Sequence, residues 1–406
     1  MQISSTAVAI TPTPRAPLSS SKAAPAVRNG ELDFLRGIAI LMTFMAHVDE
    51  FIRYPDKLAP LFHKSWGLGV DIFFVLSGFL ITRSLLNSMR GQASAAVLKQ
   101  FWVKRIYRIM PASVLWIALS MIAAYSFLPL PPDGMVAMRR SGAAALLNVM
   151  NFYFSYCAGI HELNGYCGGM LTLGVWWSLS LEEQFYIVFP LLLMVARPRW
   201  TAVIVTAVIC IYATQHKTFF NWVTATKLEG ICMGVLLGLG FEKMRCITFA
   251  EAPRSTKLFV GLASVVLVLL VGNLETKAPQ FWMPIYSATM CCCFMVVFLA
   301  SRQDGVFEFG PISRALERLG AVSFSFYLCH ESVIAFTAWA FRHIGYHPNE
   351  WFFGAYFFTA FTISLAVATA TYLYVEKPFM LKGHLKAQGM QKADGQAPRS
   401  VAVHRR

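Results

Sequence analysis

Apolar residues along this chain come in long runs separated by short polar stretches, with no strict in-and-out alternation. Ten runs approach the length that a helix rising about 1.5 Å per residue needs to cross a hydrocarbon core of about 30 Å. They are Asp33 to Phe51, Trp66 to Leu86, Arg105 to Leu128, Trp177 to Ala196, Thr201 to His216, Thr226 to Glu242, Lys257 to Val271, Met283 to Ala300, Ala321 to Phe341 and Phe353 to Val375. Only helices and closed barrels satisfy their backbone hydrogen bonds in lipid, and runs without period-two alternation are helices. The pattern predicts an all-α integral membrane protein. Its bundle of about ten transmembrane helices lies within residues 31–380, between a flexible tail at 1–30 and a polar, basic tail at 381–406.

Charge orients the bundle. An even number of spans puts both termini on one side, and 26 of the 35 Lys and Arg then fall on that side. Short cytoplasmic loops carry the excess of basic residues, so both termini are expected in the cytoplasm of a multi-pass inner-membrane protein. The apolar stretch Ser141 to Tyr156 is too short to be an eleventh span, and counting it as one would reverse the charge bias of every later loop. It reads as a re-entrant or interfacial helix within a long outer loop at 129–176.

Composition agrees with lipid as the main solvent, since 56% of residues are hydrophobic and only 14% are charged. The net charge of +14 would otherwise suggest nucleic acid, but basic residues gathered at helix ends answer to membrane topology instead. The first thirty residues are rich in Pro, Ser, Ala and Thr and hold no apolar h-region, so no signal peptide is expected. Cys291 to Cys293 lie in an apolar run, where thiols pack as small hydrophobes. Cys157 and Cys167 lie in the outer loop, where a disulfide and two free thiols are both open.

Candidate chemistry starts in the first span. Arg36 and His47 are eleven residues apart, which is about 1100° of helical turn, within about 20° of three full turns, and about 16 Å of rise. Both side chains then share a face, with Arg36 at the cytoplasmic end and His47 in the outer half of the membrane. An anionic headgroup held at Arg36 leaves His47, with the near-neutral pKa ordinary for His, placed to take a proton from a hydroxyl. Lys104, Arg105 and Arg108 open the third span, and their three- and four-residue spacings put Arg108 beside the other two. That cluster suits phosphates and equally suits a plain basic collar. Asp71 near the outer end of the second span is a candidate to orient His47 or bind an acceptor, or else a simple helix-start acid. Glu182 and Glu183 are adjacent and cannot share a helical face, so at most one of them, with Glu183 slightly preferred, is expected to point at the site, and a helix-start role without chemistry stays open. Ser323, Tyr327 and His330 recur at steps of four and three, making one polar stripe that either lines a channel or seams two helices. His63, His161, His216, His343 and His347 show no metal-ligand spacing, and no metal is inferred.

These residues lie in segments that resemble the acyltransferase 3 family of membrane acyltransferases. Besides the Arg36 and His47 spacing, the likeness rests on GVDIFFVLSGFLI from Gly69 to Ile81, KRIYRIMP from Lys104 to Pro111 and WSLSLEEQFYIVFP from Trp177 to Pro190. SFSFYLCH from Ser323 to His330 and VEKPF from Val375 to Phe379 complete the family's order. The sequence departs from the common pattern at Cys329, where Trp is usual, and at Ser332, where Pro is usual.

The resemblance implies a fold of about ten helices, an acyl-coenzyme A donor, expected to be acetyl-coenzyme A, and a carbohydrate or lipid-linked saccharide acceptor. Carried onto this chain, Arg36, Lys104, Arg105 and Arg108 are expected at the donor's phosphates. His47, Asp71, Glu182 and Glu183 are expected at the chemistry, and Ser77, Tyr327 and His330 along the channel between donor and acceptor. A stand-alone transferase without an extracytoplasmic hydrolase-like domain is expected. VEKPF reads mainly as a helix stop, because Pro378 cannot continue a helix. Direct transfer and an acyl-enzyme remain open, as does a small acceptor such as a macrolide. The competing class is a carrier for an acylated or anionic solute. Missing internal repeats and few Pro or Gly breaks at midplane weigh against it.

Overall fold

A computed structural model describes residues 29–51, 67–89, 95–127, 132–159, 172–215, 225–244, 246–277, 282–345 and 350–393. The expectations for residues 1–28, for the chain after 393, and for Cys167, His63, His161, His216 and His347 lie outside these residues.

The described residues form helices and turns. In chain order the helices are α1 (Gly30–Phe51), α2 (Leu68–Met89), α3 (Ala95–Phe127), α4 (Pro132–Leu146), α5 (Met150–Gly159), α6 (Trp176–Thr214) and α7 (Glu229–Gly240). There follow α8 (Arg254–Lys277), α9 (Trp282–Arg302), α10 (Pro311–Ala321), α11 (Ser323–His343), α12 (Glu350–Thr371) and α13 (Lys377–Ala393). The chain is a multi-pass, all-α membrane protein. By length and composition, six of the described helical stretches can cross a membrane, or seven if α10 and α11, which meet at 78°, are taken as one broken span.

Several boundaries differ from those the hydrophobic pattern predicts, each for a local reason. The fourth and fifth expected spans form one helical stretch, α6, interrupted only at Arg197 (φ 58°, ψ 154°). Pro198 follows, and the residue before a proline is pushed out of the α region, so the break falls where the pattern put a connection. The sixth expected span shrinks to the twelve residues of α7, about 18 Å of helix, too short to cross alone. The single helix expected at Ser141 to Tyr156 is instead a pair, α4 and α5, broken at Asn148, whose φ of 53° Asn tolerates better than most residues. Helix α10 has too few apolar positions to read as a span, and its charged face carries Arg314, Glu317 and Arg318. It packs on the first turns of α1.

The clearest correction lies at VEKPF, which does not stop the helix. Helix α12 runs into one π-helical turn, Tyr372–Glu376, and on into α13. Pro378 occupies the first turn of α13, where a missing N–H is tolerated. The tail expected from residue 381 is therefore helical to Ala393, and it packs along α3, where Lys386 Nζ lies 3.4 Å from the Tyr107 hydroxyl.

Close helix contact holds the centre together. Helices α2 and α7 approach so tightly that a Cβ on Gly78 would sit 2.1 Å from the Ile231 carbonyl oxygen, and one on Gly234 would sit 2.1 Å from that of Val75. Small residues at such contacts let backbones meet and gain dispersion in a medium with little hydrophobic driving force of its own. At the start of α1, buried Glu31 accepts hydrogen bonds from the N–H groups of Gly305 (2.9 Å) and Phe307 (3.2 Å), fixing α1 to the turn after α9.

Candidate active site

Helix α1 is unbroken from Gly30 to Phe51, so the spacing between Arg36 and His47 is kept as one continuous rise. Arg36 opens onto a cavity of about 330 Å³ between α1, α2, α3, α6 and α11, within the range of about 300–1,000 Å³ of small-molecule sites. Arg105 and Arg108 line the same cavity, as do Ser77, Glu182 and Tyr327. Three guanidinium groups thus meet in one partly enclosed space, a donor set suited to phosphate oxygens.

Neighbours set the direction of each cation. Arg36 Nη1 donates to Asp33 Oδ1 at 2.6 Å, one turn back on α1. The Arg105 guanidinium stacks 5.1 Å from the Tyr186 ring centre and 5.5 Å from that of Phe101. Arg108 Nε lies 4.0 Å from Glu376 Oε1, and Glu376 Oε2 accepts from the Ser325 hydroxyl at 2.8 Å. Glu376 is buried at the end of the π-helical turn, which therefore aims a carboxylate at the arginine cluster. Opposite these cations, Glu182 accepts from Ser77 (3.0 Å) and from the Tyr186 hydroxyl (2.7 Å).

His47 does not line the cavity. It sits farther along α1, against α11. Its Nδ1 is 2.8 Å from the Thr43 carbonyl oxygen and 3.2 Å from His330 Nε2, and its Nε2 is 3.7 Å from Glu331 Oε1. Glu331 Oε2 accepts from the Val175 N–H at 3.2 Å. The stripe predicted on α11 joins the two regions: Ser323 and Tyr327 face the cavity, and His330, one turn on, faces His47. Tyr327 is hydrogen-bonded to Ser178, another cavity residue, and its ring centre lies 5.6 Å from that of His330.

Three expectations change. Asp71 does not orient His47; its Oδ1 lies 2.6 Å from Lys227 Nζ, because the α2–α7 contact turns this face of α2 toward the residues before α7. The carboxylate beside His47 is Glu331. Of the two adjacent acids on α6, Glu182 faces the cavity and Glu183 does not, reversing the preference for Glu183. Lys104 is absent from the cavity wall, which Arg105 and Arg108 reach. Outside the site, Cys157 is buried and disulfide-bonded, on the stretch where oxidation was open. Glu331 and Glu376 escaped the sequence reading, although each is an ionisable residue in or at the end of an apolar run, the signal that picked out His47.

Comparison with known proteins adds an independent finding. A family model described as an acyltransferase domain, Acyl_transf_3, matches residues 29–372. The chain is 27% identical over 383 residues to "Putative peptidoglycan O-acetyltransferase YrhL" of Bacillus subtilis (strain 168), covering 87% of this chain and 55% of that protein. It is 25% identical over 359 residues to "O-acetyltransferase OatA" of Staphylococcus aureus (strain NCTC 8325 / PS 47), covering 83% and 56%. A protein of Staphylococcus aureus (strain COL) whose name begins "Putative O-acetyltransferase" is 26% identical over 383 residues, covering 87% and 57%. The chain spans a little over half the length of these relatives. No solved structure matches it.

Proposed function

The chain belongs to the acyltransferase 3 family, and from that premise we propose that it is a membrane acyltransferase using acyl-coenzyme A, with acetyl the expected group. The acceptor is a hydroxyl of a carbohydrate-type molecule at the outer face of the bacterial inner membrane. The orientation with both termini cytoplasmic puts the basic cavity on the donor side. Ten crossings follow if the two arms of α6 cross separately and α1 and α7 count as crossings. The observation that carries the reading is one continuous helix with Arg36 in a three-arginine cavity and His47 a fixed distance beyond it, beside a carboxylate.

The donor's phosphates bind at Arg36, Arg105 and Arg108, with Lys104 at the entrance. Its pantetheine arm runs past Ser77 and Tyr327, and the thioester comes to lie near His47. The acceptor oxygen attacks the thioester carbonyl carbon, forming a C–O bond as the C–S bond breaks. Its proton passes to His47 Nε2 and from there to the departing thiolate. Glu331 offsets the positive charge that His47 carries between those transfers. Glu182, facing the donor cavity, balances the arginines rather than handling the proton.

Purified protein incubated with radiolabelled acetyl-coenzyme A and a surface-glycan acceptor tests the reading. Thioester consumption with label in the acceptor is expected, and its loss in His47→Ala protein that inserts normally. Binding without consumption would favour the carrier class, and full activity in the His47→Ala variant would remove His47 from the mechanism. Comparing the acetyl content of cell-surface glycans with and without the protein identifies the acceptor.

A further inference from the structure

His330 packs against His47 with its hydrogen-bonding capacity committed. Its ring is fully buried, stacks at 22° on Phe326 with ring centres 6.1 Å apart, and lies 6.4 Å from the Phe44 ring. Nδ1 of His330 lies 2.8 Å from the Tyr327 carbonyl oxygen and 3.1 Å from that of Phe326. Carbonyl oxygens only accept, so this nitrogen carries the proton, and in the neutral ring Nε2 is left as a lone pair.

That lone pair is aimed at His47 Nδ1, which also faces the Thr43 carbonyl oxygen at 2.8 Å. Two acceptors therefore converge on one nitrogen. If His47 carried its proton on Nε2 instead, three lone pairs would crowd together at Nδ1. If His330 were doubly protonated, its Nε2–H would force the His47 lone pair onto the Thr43 oxygen, besides placing a charge at a fully buried site. Among the neutral forms of His47, the one without a conflict at Nδ1 carries its proton there and leaves Nε2 unprotonated. Nε2 is the nitrogen facing Glu331.

We propose that His330 is a positioning residue that fixes the tautomer of His47, accepting its Nδ1–H so that Nε2 is held as the free base beside Glu331. The proposal rests on the reading of His47 as the base that takes the acceptor's hydroxyl proton. It gives the sequential pair His330 and Glu331 different duties on the same ring. About 100° apart around α11, they flank its two nitrogens. His330 sets where the resting proton sits, and Glu331 meets the proton that arrives.

The test measures the tautomer directly. Full-length protein in lipid nanodiscs, labelled with ¹⁵N and ¹³C at histidine, distinguishes Nδ1–H from Nε2–H imidazole by nitrogen shift, with His47 assigned by the signal lost in His47→Gln. The expected result is an Nδ1–H His47 in the unsubstituted protein. His330→Gln, which offers an amide oxygen in place of Nε2, keeps that tautomer and most of kcat. His330→Met, which fills the space without an acceptor, gives mixed tautomers and lowers kcat by about 10- to 100-fold with KM for acetyl-coenzyme A within about threefold. An Nε2–H His47 in the unsubstituted protein overturns the proposal, as does an unchanged kcat in His330→Met. Activity retained in His47→Ala would instead overturn the base reading, while the tautomer measurement still reports on the His330 contact.

Discussion

Glu331 Oε1 lies 3.7 Å from His47 Nε2, while its other carboxylate oxygen accepts the Val175 N–H. The acid is thus fixed to the segment entering α6 and presented to the ring from α11. A carboxylate in that position stabilises an imidazolium more than a neutral imidazole, so its effect grows as the proton is transferred.

Glu331→Gln therefore lowers kcat by about 10- to 100-fold, roughly 1.4–2.8 kcal/mol of transition-state stabilisation, with KM for the acyl donor nearly unchanged. The amide keeps the size of the side chain and an oxygen for Val175, so the fold is preserved. Steady-state kinetics in nanodiscs checks it, and a rise in KM with constant kcat would assign Glu331 to donor binding.

Asp71 gives the opposite signature. Its partner is Lys227, in a pair whose side chains are 2% and 17% exposed, so Asp71→Asn acts on stability before chemistry. Removing the charge of one partner in a buried pair costs up to about 3–5 kcal/mol, and retained hydrogen bonding puts Asn at the low end. A thermal-unfolding scan is expected to show a clearly lowered Tm, with kcat little affected in the surviving folded fraction. The double variant Asp71→Asn with Lys227→Met regains much of the loss, since no lone charge stays buried.

Gly174 tests how tightly Glu331 is held. A Cβ at this position would sit 2.2 Å from Glu331 Oε1, closer than any real contact, so Gly174→Ala forces the carboxylate to move. The expected outcome is a fall in kcat resembling that of Glu331→Gln, and combining the two adds little, because both act through one group. Additive losses would show that Gly174 matters for another reason.

What the sequence disclosed follows from how local each signal is. The Arg36 to His47 spacing depends on one helix, and the helix is continuous between them, although only Arg36 lines the cavity. The stripe of Ser323, Tyr327 and His330 is likewise internal to α11, where Ser323 and Tyr327 line the cavity and His330 faces His47. Which carboxylate serves His47 depends on how α2 and α11 pack around α1, and no spacing within one helix carries that information. Asp71 was a sound candidate by depth and lost its expected place to the α2–α7 glycine contact. Glu182 and Glu183 show the same limit: adjacency says only that both cannot share a face, and packing puts Glu182 at the cavity wall. At VEKPF the proline argument was correct about the residue and wrong about its consequence. A π-helical turn shifted the register so that Pro378 begins a helix instead of ending one.

That register shift leads to the last prediction. A π-turn inserts an extra residue into the helical repeat, and such turns recur at functional sites because they redirect side chains. Here the redirected side chain is Glu376, buried, held by Ser325 and 4.0 Å from Arg108, itself part of the wall of the three-arginine cavity. Arg108 is 38% exposed and could sample several directions, so the fixed carboxylate keeps it turned toward the cavity. Glu376→Gln removes the attraction but keeps the hydrogen bond from Ser325. KM for acetyl-coenzyme A is then expected to rise by about 5- to 20-fold with kcat nearly constant, the pattern of lost uniform binding. Arg108→Ala shows a larger rise of the same kind, and the double variant is no worse than Arg108→Ala alone, since Glu376 acts through Arg108. Initial rates across a range of donor concentrations distinguish this from a chemical role. A fall in kcat at saturating donor would instead bring Glu376 into the transfer step.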